Sequence, residues 1–129
     1  MIGRIEIPGV PIPQARARGG RNGWYDPQAT VKRNILDYVK PLIGNDAPIS
    51  TAISLSITFY MPIPTSLSIK RQKKLIGSPH IKRPDVDNFL KFIFDTLNGV
   101  VWKDDCLIYS IVANKIYDEN PRTIIKITE

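Results

Sequence analysis

Apolar and polar residues alternate over 53–60: Ile53, Leu55, Ile57 and Phe59 are interleaved with Ser54, Ser56, Thr58 and Tyr60. A two-residue period places the apolar set on one face of a half-buried strand, and Pro62 and Pro64 end it. A longer period governs residues 85–98. There Val86, Leu90, Ile93, Phe94 and Leu97 fall on one side of a helix with Phe89 at its margin, while Asp87, Asn88, Lys91, Asp95 and Asn98 share the opposite side. Gly99 closes this helix.

Weaker patterns fill in the rest. Residues 4–7 read as a short strand, after which Pro8, Pro11 and Pro13 prevent regular structure. Residues 14–22 alternate arginine with glycine and alanine, cannot bury a face, and are expected to form a loop that is mobile without a ligand. Val31, Ile35, Val39 and Leu42 predict a helix over 27–42, with Lys32, Arg33 and Lys40 on other faces, Asp26 as its cap and Pro27 in its first turn. A short cationic helix is expected over 66–75, strands over 107–117 and 123–128, and a turn at 118–121. With no internal repeat and no dividing linker, the expectation is an α/β chain of the α+β type. Residues 1–129 form one domain, with a mixed or mainly antiparallel sheet flanked by helices.

Composition agrees with that reading and narrows the function. A chain of 129 residues with 43% hydrophobic and 23% charged positions is of ordinary globular make-up. No apolar run reaches the roughly 20 residues of a membrane span, and residues 1–10 lack a signal-peptide core. A cytoplasmic protein without membrane contact is expected. The single cysteine, Cys106, excludes an internal disulfide and a zinc site of paired cysteines. It has no nearby histidine base in sequence and is read as a small packed residue.

Charge is unevenly distributed. The net charge is +6, which attracts polyanions, yet Asp85, Asp87, Asp95, Asp104 and Asp105 crowd into one stretch. No acidic residue lies between Asp46 and Asp85, where Lys70, Arg71, Lys73, Lys74, Lys82 and Arg83 fall; Arg16, Arg18 and Arg21 form a second basic cluster. Acid concentrated inside a basic chain suggests a metal site facing phosphates. Magnesium prefers oxygen ligands and typically uses one or two carboxylates, several waters and substrate phosphate. Aspartate in a first helical turn is equally explained by capping and the helix dipole, and Lys91 by an i,i+4 pair with Asp87. Spacing alone leaves both readings open.

The run Lys82, Arg83, Pro84, Asp85, Val86, Asp87, Asn88, Phe89, Leu90, Lys91, followed by Asp95, Leu97, Asn98, Gly99 and then Trp102, Asp104, Asp105, resembles the RusA family of Holliday junction resolvases. A proline, several arginines and then Tyr25, Asp26, Pro27 are similar to that family's basic N-terminal loop, so the likeness spans about half the chain. Phe89, Thr96 and Cys106 stand where leucine, alanine and a polar residue are commoner, and none removes an expected ligand.

The resemblance implies a magnesium-dependent endodeoxyribonuclease acting on branched DNA as a homodimer. Asp85, Asp87 and Asp105 would be its metal-binding acids and Lys91 the essential basic residue beside them, all four catalytic. Asn88 would steady the ligands by hydrogen bonding, Asp104 would orient them or start the strand, and Asp95 would serve helix solubility. Arg16, Arg18, Arg21, Arg71, Lys73, Lys74, Lys82 and Arg83 would contact DNA phosphates.

Trp24 and Tyr25 are read as core residues in preference to base-stacking ones, and His80 as an ordinary exposed loop histidine. Phe89, Phe92 or the exposed side of the 107–117 strand are candidates for the dimer interface, and monomer core packing explains them equally well. Competing readings are a generic branched-DNA or flap nuclease, a nucleotide phosphohydrolase, which would not need so many cations, and a non-catalytic nucleic-acid-binding module. The last leaves the aspartate spacing unaccounted for.

Overall fold

Because alternate side chains of a strand point to opposite faces, the apolar set beginning at Ile53 becomes one wall of the core. Ile53, Leu55, Ile57, Phe59 and Met61 are all buried in the computed structural model, which describes residues 3–46 and 48–129. The reading of residues 1–10 as lacking a signal-peptide core reaches residues 1 and 2, outside that description. In chain order the elements are β1 (Arg4–Pro8), β2 (Arg18–Gly20), β3 (Gly23–Tyr25), α1 (Ala29–Ile43) and β4 (Ile53–Met61). They continue with α2 (Ile69–Leu75), α3 (Val86–Leu97), β5 (Ile108–Tyr117) and β6 (Arg122–Thr128).

Four strands make a mixed sheet in the order β1-β6-β4-β5, with β4 antiparallel to β6 and parallel to β5, and β1 antiparallel to β6. The architecture is therefore the single α+β domain that the patterning predicts. The parallel β4–β5 pair requires a crossover, and that crossover contains α2, α3 and the acidic turn at 104–105. Residues 77–80 return along the far end of β5: Gly77 N–H donates to Tyr117 and His80 N–H to Lys115. Among the described residues, no helix is long and apolar enough to cross a membrane.

The helix over 85–98 forms as expected, but its buried stripe is rotated. Phe89, Phe92, Ile93, Thr96 and Leu97 are buried, whereas Val86, Leu90 and Phe94 are only partly so. Phe89 stacks on Phe59 of β4 at 5.1 Å between ring centroids, which draws the helix round to that side. Burying such a side chain stabilises by about 1.5–3 kcal/mol. Thr96 is tolerated inside because its hydroxyl donates to the Phe92 carbonyl at 2.6 Å. Phe89 and Phe92 are thus core residues, so of the two readings offered for them monomer packing holds and the dimer interface does not.

Other differences have local causes. Lys32 is not on a solvent face: it is buried, with its ammonium held by Asp26 and Asp95. Asp26 acts ahead of α1, its Oδ1 accepting from Gln28 N–H at 2.8 Å, and Pro27 precedes the helix. The expected arginine-glycine loop is partly a ribbon, in which β2 pairs with β3 through Arg18↔Tyr25, Gly19↔Trp24 and Gly20↔Gly23. Its turn needs Gly23 at φ 102°, a conformation that costs glycine little. The short basic helix begins at Ile69, where the Ser68 hydroxyl caps Arg71 N–H.

Candidate active site

At the head of α3, Asp85 occupies the capping position but makes no side-chain capping bond, and no other side-chain partner is found for it among the described residues. Capping therefore does not explain this carboxylate. It borders a groove with Arg83, Asn88 and Gln14. The loop that delivers it is clasped by Lys115 of β5, whose ammonium donates to the carbonyls of Lys82 and Pro84 at 2.7 Å each. In the first turn of α3, Asp87 is exposed and lies 3.6 Å from the Lys91 ammonium.

Asp105 comes from the other end of the crossover, in the short 3₁₀ turn Asp105–Leu107 before β5. Two groups fix it: buried Trp102 donates its indole N–H to Asp105 Oδ1 at 2.6 Å, and the Asp105 N–H donates to Asn98 Oδ1 at 3.0 Å. Asp105 shares a second groove with Lys91, Asp95, Phe94 and Gln14. Two distant segments therefore meet there, since Lys91 belongs to α3 and Asp105 to the turn after it. Asp104 caps this turn, accepting from Cys106 N–H at 3.1 Å, which is the strand-starting role.

The expected metal-binding acids are distributed over this surface: Asp105 and Lys91 line one groove, Asp85 the next, and Asp87 flanks Lys91. Among the described residues, no group of three or more His, Cys, Asp or Glu side chains could hold a metal ion. Gln14 is the residue common to both groove walls. Its backbone N–H donates to the Asn88 carbonyl at 2.9 Å, and Gln28 grips the residues on either side, accepting from Ala15 N–H and donating to the Pro13 carbonyl. The Gln14 side-chain oxygen is buried and has no partner among the described residues. Sequence reasoning missed Gln14, Gln28 and Lys115, because each acts through contacts far away in the chain.

Asp95 is corrected from a solubilising residue to a structural one. It shares buried Lys32 with Asp26, which lies 2.6 Å from the ammonium. Burial pushes the Lys32 pKa down, but its bonds to Asp26 and Asp95 prevail and hold it above its ordinary value. The Lys32 hydrogen bond, seconded by Gln28 N–H, holds the Asp26 carboxyl below its ordinary value.

Arg16, Arg18, Arg21, Arg71, Lys73, Lys74, Lys82 and Arg83 are all exposed. Trp24 and Tyr25, expected in the core, are 79% and 53% exposed. His80, expected to be exposed, is half-buried with its ring edge-on to Tyr117 at 4.9 Å. Cys106, expected to be packed, is exposed, and local desolvation followed by the Asp104 carboxylate raises its thiol pKa, which does not suit a nucleophile. An apolar cleft lined by Ile7, Val31, Ile35, Phe59 and Phe92 among others has no titratable side chain in its wall.

The family model described as Endodeoxyribonuclease RusA matches residues 8–128. The "Uncharacterized protein YqaN" of Bacillus subtilis (strain 168) is 31% identical over 135 aligned residues, covering 98% of this chain and 95% of that protein. The "Crossover junction endodeoxyribonuclease rusA" of Lactococcus phage r1t is 35% identical over 78 residues, covering 60% of this chain and 54% of the phage protein. The chain belongs to the RusA endodeoxyribonuclease family.

Proposed function

We propose that this chain is a magnesium-dependent endodeoxyribonuclease that resolves four-way junctions by paired symmetric nicks, as a cytoplasmic homodimer in recombination and repair. The observation that carries this reading is the meeting of Lys91 and Asp105 in one groove, with Asp87 and Asp85 close by, on a chain of net charge +6. A junction-cutting relative among phage proteins supports the substrate.

The residues suit magnesium. Asp85 has no side-chain partner among the described residues, and the buried oxygen of Gln14 is another hard donor beside it. Because magnesium uses few protein carboxylates and keeps its waters, a three-carboxylate cage is not required. Of Asp85, Asp87 and Asp105, one or two would hold the ion directly and the others through its waters. When bound, it neutralises phosphate charge and makes a water more acidic.

The chain's own groups do the rest. Trp102 and Asn98 keep Asp105 oriented before substrate arrives, which reduces reorganisation during the reaction. The Lys91 ammonium faces charge that builds on the non-bridging oxygens during attack and favours the pentacovalent state. The exposed arginines and lysines hold the DNA backbone by charge, without reading bases. Two incisions on a two-fold substrate call for two sites, hence a two-fold dimer. The exposed Tyr109, Ile111 and Val112 of β5, an edge strand, offer a surface for it.

The test is incubation of purified protein with labelled four-way junction, flap, linear duplex and single-stranded DNA, with magnesium or chelator. Symmetric paired nicks confined to the junction and lost with chelator are expected. Cutting of flaps in preference would assign a flap nuclease instead. Asp87→Asn should abolish cutting while leaving junction binding equal or tighter, since a negative charge near phosphate is gone.

A further inference from the structure

The ribbon formed by β2 and β3 carries a large aromatic side chain on each of its faces, and neither is used by the core or by the acidic grooves. Trp24 is 79% exposed and Tyr25 53% exposed. Successive residues of a strand point to opposite sides, so the indole and the phenol ring face away from each other. Each ring lies across glycine. A methyl group built on Gly19 would stand 4.0 Å from the indole, and one built on Gly20 would stand 3.8 Å from the Tyr25 ring. The ribbon is therefore thin, a glycine strand with one flat ring over each side. Arg16, Arg18 and Arg21 flank the rings, all exposed, and residues 9–25 contain no carboxylate.

We propose that this ribbon is a wedge that enters the branch point of DNA, where Trp24 and Tyr25 stack on the base-pair faces exposed at the crossover. The proposal rests on the branched-DNA reading and names the part of the substrate that this segment contacts. A linear duplex offers no free base-pair face except at its ends, whereas a branch interrupts stacking. Aromatic rings recognise any exposed base and do so without sequence preference, and the neighbouring arginines suit the phosphates that converge there. Salt-dependent cation contacts alone bind both forms; the rings supply the discrimination.

The ribbon is also referenced to the acidic grooves. Asp26 directly follows β3, and Lys32 ties it to Asp95, which lines the groove of Lys91 and Asp105. An inserted ribbon therefore sets where the backbone crosses those grooves.

The experiment uses the full chain carrying Asp87→Asn, so that DNA stays intact. Trp102 is buried but bonded to Asp105 of the groove, so the Trp24 emission is taken as the difference between the parent and Trp24→Ala in the same background. Four-way junctions carrying 2-aminopurine at the branch or in mid-arm, and a linear duplex of equal length, are titrated. Expected are quenching of the Trp24 emission by the junction and a 2-aminopurine signal that changes only at the branch. Trp24→Ala should lose roughly 5- to 150-fold in junction affinity while duplex affinity stays within about twofold. Tyr25→Ala should act in the same direction. Junction preference with no change in Trp24 emission, or a Trp24→Ala loss equal for junction and duplex, overturns the wedge and leaves the proposed function standing. Equal binding of junction and duplex by the parent chain overturns the branched-DNA reading itself.

Discussion

The Lys32 ammonium on α1 is bound to the carboxylate of Asp95 on α3, 63 positions later in the chain. It also holds Asp26 at the root of the aromatic ribbon, so one buried cation joins three segments. Lys32→Met keeps most of the aliphatic stem and leaves both carboxylates unanswered. Removing one member of a buried ion pair costs about 3–5 kcal/mol. Asp26 and Asp95 retain 35% and 57% side-chain exposure and can be rehydrated, so the expected loss is about 1–3 kcal/mol. Urea unfolding measures it, and an unchanged midpoint would remove the triad from the stabilising interactions. The Asp26 carboxyl is held below its ordinary value, so its contribution is present above the ordinary carboxylate range and fades as pH falls through the lowered value. Lys32→Met should flatten that acid-side decline.

Asp105 depends on Trp102 for its orientation. Trp102→Phe keeps an aromatic ring in the core and removes the indole N–H, while Asn98→Ala removes the acceptor for the Asp105 N–H. Neighbours that orient metal ligands typically matter by about 10- to 100-fold. Each variant should lower kcat by that order at a temperature well below its unfolding transition, with junction affinity little changed. Wild-type kcat in Trp102→Phe would mean that Asp105 needs no such support.

Gln14 holds a buried side-chain oxygen with no partner among the described residues, and such an orphan costs about 1–3 kcal/mol. Gln14→Met has a similar length and no polar atom. It should raise unfolding free energy by about that amount while reducing cleavage, because Gln14 borders both acidic grooves. Stability gained at the expense of activity is expected where a local defect serves function. A destabilised Gln14→Met would show that the oxygen is satisfied in solution.

The open half of β5 carries the dimer prediction. Residues 77–80 cover the end of this strand near Tyr117, leaving Tyr109 at 72% and Val112 at 58% exposure elsewhere on it. Val112→Asp should convert the homodimer to monomer in sedimentation equilibrium without loss of folding, and paired nicking should give way to single nicks. A monomeric wild type at micromolar concentration would refute the arrangement.

What could be read from the chain follows from how local each determinant is. The alternation through Ile53 and Phe59 and the helical period after Asp85 depend only on neighbours, and both became β4 and α3. The rotation of α3 was hidden because it is set by Phe59 stacking on Phe89, 30 positions away (89 − 59). Lys32 looked like a surface cation, since only folding brings Asp95 to it. Trp24 and Tyr25 looked like core on hydrophobicity, but a three-residue ribbon has no second layer to bury them. Asp85, Asp87, Lys91 and Asp105 were legible as a motif; the hold of Trp102 and Asn98 on Asp105 was not.

His80, the sole histidine, provides a pH handle on the same loop. Its Nδ1 is buried with no partner among the described residues, and its ring rests against Tyr117. Burial first, then the charges of Lys115 and Lys82, push its pKa below the ordinary 6.5. In the unfolded chain the ring takes up a proton near 6.5, while in the folded chain it resists until lower pH. The unfolded state thus binds more protons between those two values, and stability must fall as pH drops through that window. The NMR titration of this one imidazole should show a midpoint below 6.5, and His80→Phe should remove the corresponding slope from stability measured between pH 7 and 5. The effect should also reach cleavage. Lys115 both faces His80 and clasps the loop that delivers Arg83 and Asp85, so a charged imidazole beside it loosens that clasp. Cleavage should decline in acid more steeply for wild type than for His80→Phe. Parallel profiles would separate His80 from the site.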